Sequence, residues 1–400
     1  MQGFHVVTDI EDSFGGFTSA LLNAAREEFP KKPIFTFGAK TPTGSTATTK
    51  VSLSSFFLFF SSFLFLLLRY IVFVASSFNS SQQTLEKALL NEAFSLVNLH
   101  ASSSVYIPFV APHTVSCPLL PTYDPRSKYH TSALFAAFID NCTLPYRLKK
   151  SSTLMSDVAS QLNWRHGARV ADAVLTLPLP HKRGAFLEDT FADPALLASC
   201  TFNLSGQPKL LAPFHANSES LVLRGCSKIP LFSKYDQTFS LFFFFFHLRL
   251  NRGIYFKLLF SSFFASGQPQ EVVARYRKSA SAKEMFYEYL KDAPRANSAG
   301  HEIRDPLHVP KTFPPFFAAQ LDSTGSTLDA SFQASPSSSI ATVPVVSTLR
   351  NSNTTRPHLA TLIKGLRSLN VRSHPAFFEN KDALDETVEQ LESLLGFYDE

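Results

Sequence analysis

A short acidic segment with two glycines, residues 8–16, contains the residue types that could meet a phosphate. Gly15 and Gly16 would let the backbone approach a ligand closely, and a helix beginning here would point free N–H groups at an anion. The segment also carries three carboxylates: Asp9, Glu11 and Asp12. At about 4 Å each contact between like charges costs on the order of 1 kcal/mol in water, and more when buried. Two interpretations stay open, a phosphate-binding loop and a structural loop that caps its helix.

The other reactive residue types do not assemble into a catalytic or metal-binding pattern. The histidines are scattered without ligand spacing, and no Gly-x-Ser-x-Gly segment marks a nucleophile. Four cysteines stand 25, 58 and 26 positions apart, which is typical of buried free thiols: Cys117, Cys142, Cys200 and Cys226. These residue patterns therefore indicate no metal site, and they do not assemble a catalytic set that the sequence alone could identify. The net charge of +5 includes no long Lys or Arg run, so we expect no nucleic-acid partner.

The elements around the acidic segment are predicted to be a strand, a helix and a second strand. Residues 4–9 indicate a buried strand, residues 18–29 a helix and residues 33–38 the next strand. The apolar stripe of that helix would be Phe17, Ala20, Leu21 and Ala24. This order predicts a doubly wound α/β fold with a parallel sheet, in which ligands bind beyond the carboxyl ends of the strands. The acidic segment would lie at such an end.

Further elements follow the same alternation. The pattern predicts helices over 85–99, 131–142, 271–290, 355–369 and 382–397, and strands over 105–109 and 170–178. The helix over 131–142 is apolar on almost every side, so it should be central in the fold. Residues 292–339 are rich in Pro and Ser, which favours a long surface loop or disordered chain.

Two tracts rich in Phe, Ser and Leu dilute the charged residues to 17% of the chain. All seventeen residues from Ser52 to Leu68 are of these three types, and a membrane helix could span 52–74. A pyrimidine-rich DNA strand also encodes Phe, Ser and Leu, so residues 51–82 and 237–267 are interpreted as translated introns. A membrane span and a buried core helix stay open as alternatives for the first tract.

Five blocks in a fixed order carry a family resemblance. They are Gln2-Gly3-Phe4 with Asp12-Ser13-Phe14-Gly15-Gly16, Arg26 to Pro30, Leu90 to Val97, Tyr129 to Leu148, and Leu221 to Gly225. Through these blocks the chain resembles the tubulins and, more closely, the tubulin-related Misato family. The glycine-rich phosphate loop of tubulins falls on residues 10–16, where only the last glycine keeps its place.

The resemblance implies an incomplete tubulin/FtsZ-like fold: a Rossmann-like parallel sheet with a central helix, and a second α+β domain. Residues 1–148 would be the nucleotide-domain remnant and residues 149–400 the second domain. The family's N-terminal portion would precede the first matched block, so the chain is expected to be truncated and to leave one sheet edge open.

The resemblance also implies a degenerate nucleotide site made of Gly15, Gly16 and Asn91, the last at the position of a guanine-contacting asparagine. The segment 149–161 lacks the tubulin hydrolytic glutamate, so no cofactor and no GTP hydrolysis are expected, with GTP binding as the alternative. The implied role is non-enzymatic, in mitochondrial distribution, morphology and inheritance. It would be carried out in the cytoplasm and on the outer mitochondrial surface, with the tubulin-type cytoskeleton or its chaperones as partners.

Overall fold

The structure is a computed structural model that describes most of the chain outside the two Phe/Ser/Leu tracts. The described residues are 2–40, 85–110, 112, 117–149, 151–163, 167–182, 190, 193–206, 216–226, 298–327, 340–375, 377–378 and 381–398. The tracts over 51–82 and 237–267, the candidate span over 52–74 and the helix predicted over 271–290 lie outside these residues. Within the described part, every helix is too short or too polar to cross a bilayer.

The first sheet has three parallel strands in the order β1-β2-β3. These are β1 (Phe4–Asp9), β2 (Ile34–Lys40) and β3 (Val105–Val110). Helix α1 (Phe14–Glu28) connects β1 to β2, and residues 85–102 form helix α2, which leads into β3. The predicted strand, helix and strand are therefore present, with β1 and β2 in parallel register. The α/β class is confirmed, and the arrangement is compatible with a tubulin-like fold.

The prediction of which β1 and α1 side chains are buried is wrong. Val7 of β1 is 62% exposed, and among the described strands β1 is an edge strand that pairs with β2 alone. In α1 the predicted stripe faces outward, and Phe17 is 68% exposed. The helix packs instead through small and polar residues, and Thr18 Oγ1 lies 2.8 Å from Thr8 Oγ1. Small side chains allow the helix backbone to lie close to its neighbours.

Helix α3 (Lys128–Arg147) is the central helix that the sequence predicts, although it is longer at both ends. The rings of Phe135 and Phe138 contact Phe109 of β3, with centroid distances of 4.7 and 5.5 Å. The buried amide of Asn141 donates to Ser347 Oγ at 2.8 Å, in the second sheet. The helix therefore lies between the two sheets, and the boundary after residue 148 stays a prediction.

The second sheet is mixed, with five strands in the order β5-β4-β10-β6-β7. Only the β6-β7 pair among them is parallel. Its strands are β4 (Asp172–Thr176), β5 (Thr201–Asn203), β6 (Ala216–Arg224), β7 (Ser298–Ile303) and β10 (Val345–Ser352). Helices α4 (Met155–Leu162) and α5 (Pro194–Ser199) precede β4 and β5, and a small ladder joins β8 (Leu307–His308) to β9 (Thr342–Val343).

The prediction that residues 292–339 form a surface loop or disordered chain is wrong for its described part, residues 298–327. This part contributes β7 and β8, and it buries Phe316 and Leu321 in the main core. Strand β7 is polar, and it can join the sheet edge without burying much apolar surface because its backbone hydrogen bonds hold it to β6. The Pro and Ser content of the whole segment concealed these few anchoring residues.

Two closing helices form as predicted: α6 (Thr355–Arg367) and α7 (Lys381–Gly396). Their apolar stripes are buried against α2 and the first sheet, in one cluster with Ile10, Leu22 and Leu90. In α7 the predicted Leu395 is only half-buried, whereas Leu394 is buried. The closing helices therefore support the side of the sheet from which the acidic segment emerges.

Candidate functional site

The acidic segment is a tight turn at the carboxyl end of β1, immediately before α1. Its carboxylates accept hydrogen bonds from nearby backbone: Asp9 Oδ1 from Glu11 N, and Asp12 Oδ1 from Phe14 N, both at 2.9 Å. Asp9 and Asp12 are exposed, whereas Ile10 between them is buried. The carboxylates therefore already occupy backbone N–H groups of this turn that a phosphate would need as donors. Of the two interpretations of this segment, the geometry favours a structural turn.

The two glycines of the turn have different surroundings. Gly15 is buried in the first turn of α1, and a Cβ atom built there would lie 1.9 Å from Ser95 Oγ of α2. Gly16 is exposed, and such an atom would meet nothing within 4 Å. Gly15 therefore allows α1 and α2 to pack closely. At Gly16 the backbone at the start of α1 is exposed to solvent.

Asn91 of α2 reaches this turn. Its Nδ2 donates to the backbone carbonyl of Glu11 at 2.7 Å. The structure thus brings together all three residues of the predicted site, Gly15, Gly16 and Asn91, around one turn. The amide that would recognise a base is instead engaged with the protein's own backbone.

Next to Asn91 lies a charge cluster that the sequence did not reveal, made of the buried Glu92 and the half-buried Lys40 and His358. Lys40 Nζ donates to both carboxylate oxygens of Glu92, at 2.8 and 2.7 Å. His358 Nε2 of α6 is 3.2 Å from Glu92 Oε1. Burial by itself would raise the pKa of Glu92, but His358 and Lys40 outweigh it and hold this pKa at about 2.

Tyr106 of β3 borders this charge cluster. Its hydroxyl is fully buried and has no hydrogen-bond partner among the described residues. Burial raises the pKa of Tyr106 far above its usual value, and the negative charge of Glu92 raises it further. A Cβ atom on Gly38 would lie 2.5 Å from this hydroxyl, so the glycine makes room for the ring.

Lys40 ends β2, two positions after Gly38, where a lysine could have been taken for a phosphate ligand. Its partner Glu92 was hidden in an apolar helix stretch, and His358 lies more than 260 positions further along the chain. Sequence spacing carried no signal for this contact, because tertiary packing alone brings the three together. The arrangement neutralises the cation internally, and across the described chain no group of His, Cys, Asp or Glu is placed to hold a metal ion.

Comparison with known proteins gives matches along the whole chain. The chain is 26% identical to "Protein misato homolog 1" of Bos taurus and 25% identical to the protein of that name from Macaca fascicularis, covering all of this chain in each case. It is 32% identical to "Protein DML1" of Gibberella zeae over 156 residues, which are 38% of this chain and 24% of that protein. No family model matches the chain.

The chain spans 59% of the length of each of the two misato homologues. The ordered blocks found in the sequence and these matches point to the same family. The matched proteins share a name and not a stated reaction, so the comparison identifies kinship rather than chemistry.

Proposed function

The chain belongs to the Misato/DML1 family, and from this we propose that it is a non-enzymatic, tubulin-like protein of mitochondrial distribution, morphology and inheritance. It would act in the cytoplasm and on the outer mitochondrial surface. Its partners would be the tubulin-type cytoskeleton or the chaperones that fold it. These cellular roles are supported by the family relationship.

The absence of an enzymatic cycle is supported by one observation at the candidate site, the bond from Asn91 to the Glu11 carbonyl. A nucleotide base would have to displace this bond, and its phosphates would approach a turn that carries three carboxylates. The neighbouring lysine cannot offset that charge, because Lys40 is already paired with Glu92. We infer that the site has kept the geometry of a nucleotide pocket without its chemistry.

Titration of the full chain with a fluorescent GTP analogue tests this proposal directly. We expect no saturable binding up to about 1 mM, which corresponds to a binding free energy weaker than about 4 kcal/mol. Phosphate release from GTP should equal that of buffer. Saturable binding that unlabelled GTP displaces would contradict the proposal.

GTP binding without hydrolysis is the second candidate, and the position of Gly15, Gly16 and Asn91 around one turn favours it. A double variant, Gly16→Ala with Asn91→Ala, separates the two candidates in cells depleted of the endogenous protein. If the function needs no nucleotide, the folded variant should restore the mitochondrial network as well as the unchanged chain does. A variant that folds and accumulates normally but fails to restore the network would favour the GTP-binding candidate.

The cellular role needs its own control. Expression of the unchanged chain in the same depleted cells should restore a normal mitochondrial distribution, while an empty vector should not. If the unchanged chain accumulates and mitochondria stay abnormal, the mitochondrial role is wrong for this chain, whatever the nucleotide titration shows.

A further inference from the structure

Two of the four cysteines, Cys117 and Cys200, lie against each other in the main core although 83 positions separate them. Their Sγ atoms are 3.1 Å apart, and both thiols are free and buried. Cys117 follows β3 on the way to α3, and Cys200 lies between α5 and β5. Because a disulfide has an S–S length of about 2.05 Å, closure would need a movement of only about 1 Å.

The surroundings of Cys117 favour its thiolate, which is the reactive form of a cysteine. The hydrogen bond from Cys200 lowers the pKa of Cys117, and it outweighs the opposing effect of burial. Backbone N–H groups of Leu119 and Leu120 lower this pKa further, as does the hydroxyl of Ser199. The same contact raises the pKa of Cys200, which keeps that residue as the proton donor of the pair.

The other two cysteines provide an internal contrast. Burial raises the pKa of both Cys142 and Cys226 well above the usual value for a thiol. The thiol of Cys142 is bonded to the carbonyl of Ile139 within its own helix, at 3.6 Å. These two thiols are expected to be inert. All four cysteines are buried, so the lowered pKa of Cys117 comes from its contact with Cys200 and not from burial.

We propose that Cys117 and Cys200 are a reversible redox pair that closes to a disulfide when a hydroperoxide reaches it. The Cys117 thiolate attacks the peroxide oxygen, which forms a sulfenic acid and releases hydroxide or alkoxide. The Cys200 sulfur then attacks the sulfenic sulfur, its proton leaves with the oxygen as water, and the S–S bond forms. Overall two thiols are oxidised and one peroxide is reduced, giving water and an alcohol, or two waters from hydrogen peroxide.

The new bond would fasten the junction between the two sheets. At this junction Val110 N donates to the Leu204 carbonyl at 2.6 Å, and Ala171 N donates to the Tyr106 carbonyl at 2.9 Å. A link between positions 117 and 200 would add a covalent connection to these hydrogen bonds. Oxidation would therefore stiffen the contact between β3 and the β4-β5 edge of the second sheet.

Treatment of the full reduced chain with hydrogen peroxide, followed by intact mass measurement and peptide mapping, tests the pair. We expect a loss of about 2 Da, a single linked peptide joining Cys117 to Cys200, and reversal by dithiothreitol. Thiol titration after denaturation should fall from the four free cysteines to two. The midpoint of thermal unfolding should rise by about 5 °C in the oxidised form, because the link closes a long loop in the unfolded chain.

The matched control is a variant with Cys142→Ser and Cys226→Ser, which should close the same bond at the same rate. A Cys200→Ser variant should instead accumulate a Cys117 sulfenic acid that dimedone traps. If a serine variant fails to fold, the mapping of the unchanged chain still decides the matter. Four thiols that remain after peroxide treatment, or linkage through Cys142 or Cys226, would overturn the proposal.

Discussion

Two buried carboxylates, Glu92 beside the candidate site and Asp172 in the second sheet, have pKa values shifted in opposite directions, although burial alone would raise both. The Lys40 ammonium and the His358 ring contact Glu92 and hold its pKa at about 2. Burial raises the pKa of Asp172, although the hydroxyl of Ser352, at 2.7 Å, and that of Thr354 donate to it. Arg350 lies opposite Asp172 in the register, and it lowers this pKa less than the two hydroxyl groups do. Cationic partners can reverse the effect of burial on a carboxylate, whereas hydroxyl donors here do not.

The largest expected effect comes from removing the cation that Glu92 depends on. Lys40→Met should lower the free energy of unfolding by about 3 to 5 kcal/mol, because it removes the ammonium that donates to both oxygens of a buried carboxylate. Urea unfolding monitored by circular dichroism measures this loss. Lys31→Met, at an exposed position before β2, is the matched control and should change stability by less than about 0.5 kcal/mol. Equal effects in both variants would contradict the importance of the cluster.

The pH dependence of stability should show the same ion pair. The folded pKa of Glu92, about 2, lies below its ordinary value of 4.5, so its contribution is complete above pH 4.5. As the pH falls from 4.5 to 2, about 3 kcal/mol should be lost. Urea titrations at several pH values measure this slope. Glu92→Gln should flatten the slope in that window, and an unchanged slope would show that other groups cause it.

A smaller loss is expected for Asn91→Ala, which leaves the ion pair of its neighbour in place. The substitution removes the bond to the Glu11 carbonyl, which water can reach at the half-exposed turn, so the cost should be about 1 kcal/mol. Urea unfolding of the single variant, the Lys40→Met variant and the double variant gives the coupling energy. Additive losses would show that the turn and the charge cluster are independent, and strong coupling would contradict their separation.

The smallest effect is expected in the second sheet. Because burial raises the pKa of Asp172, the neutral side chain of Asp172→Asn avoids the desolvation cost of the charge, and the variant should change stability by less than about 1 kcal/mol at neutral pH. The raised pKa also means that ionisation of Asp172 opposes folding as the pH rises above 3.8. Urea unfolding at pH 4 and pH 7 tests both statements. A large loss in this variant would indicate that Arg350 keeps Asp172 charged.

The order of the elements could be predicted from sequence, but the burial of α1 could not. Periodicity identified the first parallel strands, the central helix and the closing helices, because a stripe of large apolar residues there faces the core. In α1 the same rule failed, since Gly15 and Thr18 pack inward while Phe17 is exposed. A pattern reports which residues are apolar, and it does not report which side of a helix a neighbour covers.

The candidate site was predicted in part for a similar reason. The family resemblance placed Gly15, Gly16 and Asn91, and the structure brings them to one turn. The partners Lys40, Glu92 and His358 come from three separate elements, so no local spacing could join them. The Cys117 and Cys200 contact is equally nonlocal, and the sequence correctly indicated only that both are buried and free.

The position of α3 has a mechanical consequence. Helix α3 contacts Phe109 of the first sheet and, through Asn141, Ser347 of the second. It therefore connects the two sheets mechanically. If the two sheets moved apart, the contact between Phe109 and Phe138 or the hydrogen bond from Asn141 to Ser347 would be lost. A force that displaces one sheet is therefore passed to the other through α3, and the described core should unfold in a single cooperative step.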